Sequence, residues 1–231
     1  MSKIVHPYAH RLVILRDWKS RWFALDKRYP IFLKADTTIR EYLEKKLRGS
    51  YISGIEIERT QKYYRIIIRT SRPGMIIGRS GDAMIKLRAE IAKLIKSKKL
   101  ELPGEIKIDV LEVASPEADA HIVGYMIAES LEKRMTFRRV LKQMIEKVMA
   151  TRGVLGARIV LGGRLGGAEI ARSEEIKRGS IPLQTFRADI DFAREKAHMP
   201  YGDIGIKVWI YRGQVFADKN GTNTDRRGKS A

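Results

Sequence analysis

The chain has 231 residues, enough for one large or two ordinary domains, with 44% apolar residues to fill their cores and no cysteine, which excludes disulfides, thiolate zinc sites and a cysteine nucleophile. Lysine and arginine outnumber aspartate and glutamate by 46 to 27, a net charge of +19 spread along the whole length, which points to a polyanionic partner. No apolar run reaches the ~18 to 20 residues of a spanning helix, no lipidation motif is visible, and the Met1–Pro7 start lacks an apolar leader core, so nucleic acid is favoured over membrane and a cytosolic setting is expected.

Residues 1–35 interleave cations with rings: Lys3, His6, His10, Arg11, Arg16, Lys19 and Arg21 alternate with Tyr8, Trp18, Trp22 and Phe23. Such a pattern suits an extended arm that orders on RNA, the rings stacking on bases and the cations meeting phosphate. The alternative is that Trp18, Trp22 and Phe23 staple the segment to a domain. His6 and His10 stand four apart, but Pro7 argues against a helical metal site.

A first helix is expected from Thr37 to Leu47, capped by Asp36 or Thr37 and stopped at Gly49. Ile52 to Arg59 and Tyr63 to Thr70 alternate as a β-hairpin. Arg72 to Lys86 then reads Arg-Pro-Gly-Met-Ile-Ile-Gly-Arg-Ser-Gly-Asp-Ala-Met-Ile-Lys: a helical turn, two glycines around two polar residues, and a long amphipathic helix to about Lys98. Gly78 and Gly81 let a sugar-phosphate backbone approach the loop's N–H groups, Arg79 adds a full charge beside Ser80, and the helix N-terminus adds partial charge. The same glycine spacing recurs at Gly153/Gly156, Gly163/Gly166 and Gly202/Gly205, but only the first lies between an apolar turn and a helix. This is the GxxG loop of KH modules, which clamp about four nucleotides. After a turn at Leu102-Pro103-Gly104 comes a strand from Glu105 to Val113, and the order of elements matches a type II KH domain with a three-stranded sheet.

Ser115-Pro116-Glu117 opens a second unit, with serine as the expected cap of a helix to about Arg134. Phe137 to Thr151 is a second helix with Val140, Leu141, Met144, Ile145 and Val148 on one face and Arg138, Arg139 and Lys142 on another. Strands are expected at Ala157 to Leu161, Ile170 to Lys177, Thr185 to Phe192 and Ile204 to Tyr211, so the whole is α+β: residues 1–35 an arm, 36–113 a KH domain, 114–212 a second domain of two helices on a roughly four-stranded sheet. The tail, 213–231, reads as disordered. Gly162 to Gly167 reads as a hairpin turn exposing Arg164 and Arg172 to RNA, with Lys177 and Arg178 as further candidates. Asp189 and Asp191 read as paired carboxylates in a basic surface rather than a metal-dependent nuclease pair. His121 reads as an ordinary helix residue, and Gly228-Lys229-Ser230 lacks the rest of a nucleotide loop.

Several segments together carry a resemblance: Ser20-Arg21-Trp22, Ile39-Arg40-Glu41-Tyr42, Ile77-Gly78-Arg79-Ser80-Gly81, Phe137-Arg138-Arg139, Gly163 to Arg172, Leu183 to Asp191 and Gly205 to Ile210. The chain resembles, over about residues 3 to 213, the family of KH-containing third proteins of the small ribosomal subunit in its bacterial or organellar form. It departs from that family at Tyr8-Ala9-His10 and Val13, where glycines are common, and in its shorter basic tail. The resemblance implies one copy per ribosome, bound to 16S-type rRNA beside the tenth and fourteenth head proteins. Lys3, His6, Arg11, Trp18, Arg21, Trp22, Arg164, Arg172, Lys177 and Arg178 are then rRNA or channel candidates. It further implies that Arg138, Arg139 and Lys142 border the mRNA entry channel and help unwind structured messages, without catalysis, metal or cofactor. A free KH factor in RNA processing or ribosome assembly is the alternative, and a DNA-lesion lyase or nuclease a third reading.

Overall fold

The computed structural model describes residues 5–100 and 105–216. Lys3, the Leu102–Gly104 turn and tail residues 217–231 lie outside that range. Two sheets, the first mixed and the second antiparallel, each with its own helical cover, form the body of the molecule.

The first sheet has the order β1-β2-β3-β4: Ser20–Arg21, Ile52–Arg59, Tyr63–Thr70 and Glu105–Glu112. β2 and β3 are antiparallel with Ile57 opposite Ile66, and β3 and β4 are parallel with Ile66 opposite Ile108. Alternation therefore puts Ile55, Ile57, Tyr64, Ile66 and Ile68 on one face, where helix α1 (Tyr29–Lys46) brings Ile39 and Leu43 and helix α3 (Asp82–Ser97) brings Leu87 and Ile91. The short helix α2 (Pro73–Ile77) adds Ile76 to the same core. Three strands and their helices follow the expected KH plan; the fourth strand, β1, comes from the arm and runs parallel to β2.

Helix α1 begins eight residues before the expected start, because Pro30 sits in its first turn, where a missing N–H costs nothing. Asp36 is not a cap. It is buried within the helix and accepts from the Trp22 indole at 2.6 Å and the Tyr64 hydroxyl at 2.8 Å, while Arg59 lies 3.1 Å away.

The opposite face of this sheet is laddered with charge. Arg21 of β1 lies 2.6 Å from Glu56 and 2.7 Å from Glu58 of β2; Arg65 of β3 reaches back to Glu58 and across to Asp109 of β4, and Arg69 lies 2.9 Å from Glu56.

The second sheet, all antiparallel, has the order β6-β5-β8-β7: β5 Gly156–Gly163, β6 Arg172–Gly179, β7 Ala188–Met199, β8 Gly202–Gln214. β5 and β8 extend past the expected strands at both ends, β6 and β7 begin two and three residues later than expected and end later, and β8 takes in Gly213 and Gln214, assigned above to the tail. Helices α4 (Ala120–Glu132) and α5 (Phe137–Ala150) cover one face with Val123, Ile127, Leu141, Met144 and Ile145 against Ile159, Leu161, Ile206 and Val208. The cap of α4 is Asp119, whose carboxylate accepts from the N–H groups of His121 and Ile122; Pro116 instead opens a single 3-10 turn after Ser115.

The arm crosses from one sheet to the other. His6 stands edge-on against Phe192 on the uncovered face of the second sheet, with ring centroids 4.6 Å apart. Arg11, 0% exposed, donates to the carbonyls of Ala188, Pro7, Leu183 and Thr185 at 2.6 to 3.0 Å. Further contacts join the units directly: Tyr51 donates to Glu129, Ser53 to Asp119, and Arg48 to Glu132 and the Lys196 carbonyl. The arm expected to order only on RNA is thus part of the fold.

Candidate nucleic-acid interface

A cation closely held by an acid is less available to a phosphate than a free one, so the candidates separate by their partners. Arg11 is withdrawn from any ligand by burial and four carbonyl bonds, which a guanidinium's rigid fan of five donors readily supplies. Arg21 is held by Asp17, Glu56 and Glu58, and Trp22 by Asp36. For Trp22 the staple alternative holds. The His6 ring is committed to Phe192, and burial followed by Arg194 lowers its pKa, favouring the neutral imidazole. Trp18 is 55% exposed and makes no ring contact with another aromatic residue among the described residues.

The GxxG loop keeps its polar residues free. The Gly78 N–H closes α2 onto the Gly74 carbonyl, and φ of +74° at Gly78 turns the chain out. A Cβ there would stand 2.7 Å from that of Ala83, so both space and backbone demand glycine. Ser80 follows at φ 53° and Gly81 at φ +84°, and α3 starts at Asp82 with its N-terminus at the loop. Arg79 and Ser80 are exposed, and Arg79 has no ion pair among the described residues. Met75, Ile77 and Ile85 expose apolar surface around them, a combination that suits bases as well as phosphates.

On α5, burial of Val140, Leu141, Met144, Ile145 and Val148 turns Arg138, Arg139 and Lys142 to solvent. Among the described residues Arg139 and Lys142 have no ion pair; Arg138 has one carboxylate, Glu174, at 4.0 Å. These three cations rim an open groove of about 670 Å³ between α5 and edge strand β6, with Leu141 and Ile176 at its floor. Arg172, at the start of β6, approaches the same Glu174 at 3.8 Å. Arg178 lies 3.4 Å from Glu146, and Lys177 is exposed without an ion pair among the described residues.

Between β5 and β6 the chain makes an eight-residue loop, 164–171, rather than a tight hairpin, anchored by buried Leu165. Arg164 spends donors on the Ala168 carbonyl at 2.9 Å and the Tyr201 carbonyl at 3.4 Å, so it shapes this loop. Asp189 and Asp191 take arm and strand cations: Arg16 reaches both, and Arg212 and the Ala120 N–H each lie 2.9 Å from Asp191. Burial pushes the Asp191 carboxyl up, but Arg16, Arg212 and the Ala120 N–H outweigh it and bring its pKa down to about 2. They form an ion-pair core, and no cluster of three metal-binding side chains occurs among the described residues. Glu174 and Glu146 escaped the sequence reading because an acid on an edge strand or helix face carries no signal until topology sets it beside a particular arginine.

Residues 38–118 match the KH domain model and residues 127–210 match the model for the ribosomal protein S3 C-terminal domain. The chain is 45% identical to small ribosomal subunit protein uS3 of Caldicellulosiruptor bescii over 95% of its length and 96% of that protein. It is 42% identical to uS3 of Streptococcus mutans over 96% and 98%, and 45% identical to uS3 of Coxiella burnetii over 95% and 93%. With both of its folded units matched and the similarity running nearly end to end, the chain belongs to the small ribosomal subunit protein uS3 family.

Proposed function

We propose that this protein is a structural constituent of the bacterial small ribosomal subunit, held on 16S-type rRNA in the cytoplasm, and that the α5 face of its second domain borders the mRNA entry path. The observation that carries the finer reading is the state of Arg138, Arg139 and Lys142: solvent-facing, on one face of a rigid helix, two without any acid partner among the described residues. Arginine forks and a lysine so placed hold the phosphates of an incoming strand by charge alone, and translocation supplies the work of separating a hairpin. The role is one of binding and guidance rather than catalysis.

The GxxG loop with Arg79 is a second single-strand site, and Trp18, Lys177 and Arg172 are the surface positions that remain available to rRNA or the channel. Residues 36–113 and 114–212 act as the two RNA-facing units, joined by the arm, with the tenth and fourteenth head proteins as neighbours. Sucrose-gradient sedimentation of a tagged copy tests the assignment: co-migration with small subunits is expected, and a tagged protein found only in free ribonucleoprotein fractions would favour a free KH factor instead.

A further inference from the structure

Two arginines from different elements converge on one carboxylate oxygen. Arg138, at the start of α5, brings Nη2 to 4.0 Å from Glu174 Oε1, and Arg172, at the start of β6, brings Nε to 3.8 Å from the same oxygen. The Phe137 ring lies between them: the two guanidinium carbons stand 5.7 Å and 5.6 Å from its centroid. Phe137 is itself packed on the core of the second domain and so fixes the spacing of the two cations. Side-chain exposure is 73% for Arg138, 49% for Arg172 and 34% for Glu174, so the acid is the most sheltered of the three.

We propose that Arg138 and Arg172 form a phosphodiester clamp across the α5–β6 groove and that Glu174 is a resident competitor, an anion standing where a strand phosphate would stand. This rests on the reading of the α5 face as a strand-binding surface and names its mechanism of selection. At 3.8 and 4.0 Å neither contact is a hydrogen bond, so the carboxylate is held loosely. A phosphodiester offers two charged acceptor oxygens and can bridge both guanidiniums with direct hydrogen bonds, displacing the acid. Arg139 and Lys142, without ion pairs among the described residues, make the first, unconditional contacts. The Arg138–Arg172 pair engages only a strand able to outcompete Glu174, which keeps contacts at this face weak enough for a message to move on.

Adjacent strand residues point to opposite faces, and Glu175 accordingly pairs with Arg158 across β5 instead. That supplies a control with the same change in net charge. In full-length protein carrying Arg79→Asp and Ser80→Asp to silence the KH loop, binding of a fluorescein-labelled decauridylate is followed by anisotropy at several KCl concentrations. Arg138→Ala/Arg139→Ala/Lys142→Ala tests the underlying reading: unchanged binding means that this face does not hold strands at all. With that reading intact, Glu174→Gln is expected to tighten binding about three- to tenfold, the size of two released surface ion pairs, and to steepen the salt dependence by ~0.7 in log–log slope. Glu175→Gln is expected to stay within about twofold, and Arg172→Ala is expected to abolish the gain from Glu174→Gln. Equal effects of Glu174→Gln and Glu175→Gln, or a gain that survives Arg172→Ala, would overturn the clamp.

Discussion

Arg16 in the arm and Asp191 on β7 meet at 3.3 Å, although the whole first sheet lies between them in the chain. Arg212 closes the same carboxylate from the other side at 2.9 Å, and the Ala120 N–H brings in the start of α4. One buried acid thus ties the arm, both strands of the β7–β8 hairpin and a helix terminus together.

That arrangement makes stability acid-sensitive in a defined window. A carboxyl with a pKa of about 2 when folded and near 3.8 when free stabilises the fold by about 2 kcal/mol above pH ~4, and the contribution is lost as pH falls through the folded value. Urea unfolding of Asp191→Asn is expected to show at least that loss near neutrality and a flatter stability curve between pH 4 and 2. A mutant curve parallel to that of the wild type in this window would contradict the assignment.

The arm gives a second measurement. Arg11→Ala leaves four carbonyls without their donor in a buried site and is expected to destabilise the chain by about 3 kcal/mol, whereas Arg21→Ala, at a partly exposed ladder, is expected to cost about 1 kcal/mol or less. Hydrogen exchange should show the Arg11, Val13, Leu15 and Arg16 amides, which donate to backbone carbonyls, protected in free protein. Fast exchange there would restore an arm that orders only on RNA.

In the KH loop, fold and binding can be separated. Gly78→Ala meets both a positive φ and the Ala83 side chain and is expected to destabilise by about 1 to 3 kcal/mol. Arg79→Asp with Ser80→Asp changes only exposed positions, and Asp tolerates the left-handed conformation at 80, so the melting curve should hold while single-stranded RNA affinity falls. Tight binding by that double mutant would reduce the loop to a connector between α2 and α3.

For the α5 face, Arg138→Ala/Arg139→Ala/Lys142→Ala removes three exposed cations and should change stability by no more than ~0.5 kcal/mol. Subunits carrying the variant are expected to translate unstructured messages at near-normal rates, yet to slow at a stable hairpin placed at the entry site, with the difference from wild type narrowing as ionic strength rises and salt screens the contacts that only the wild type makes. Equal rates on structured and unstructured messages would leave this face as solvated surface.

The order of amino acids alone determined most of the elements, because side-chain spacing decides which face of a helix or strand can be buried. The β2–β3 hairpin, α2, the GxxG loop, α3 and α5 lie where periodicity placed them, and Gly163 to Arg172 carried the family. Local misreadings arose where one residue type serves two ends: Asp36 as a buried acceptor resembles a cap, and Pro30 marked the true start of α1. Only the tertiary structure decided which cations are free. Arg11, Arg16 and Arg21 look like RNA ligands in a basic, aromatic arm, but besides Pro7 and Asp17 nearby, their partners come from β7, β2 and carbonyls more than 170 residues away. The amphipathic pattern of α5 puts Arg139 and Lys142 on its polar face, but only the fold shows that no acid among the described residues comes within ion-pair distance of them, because charge neutralisation depends on distance in space.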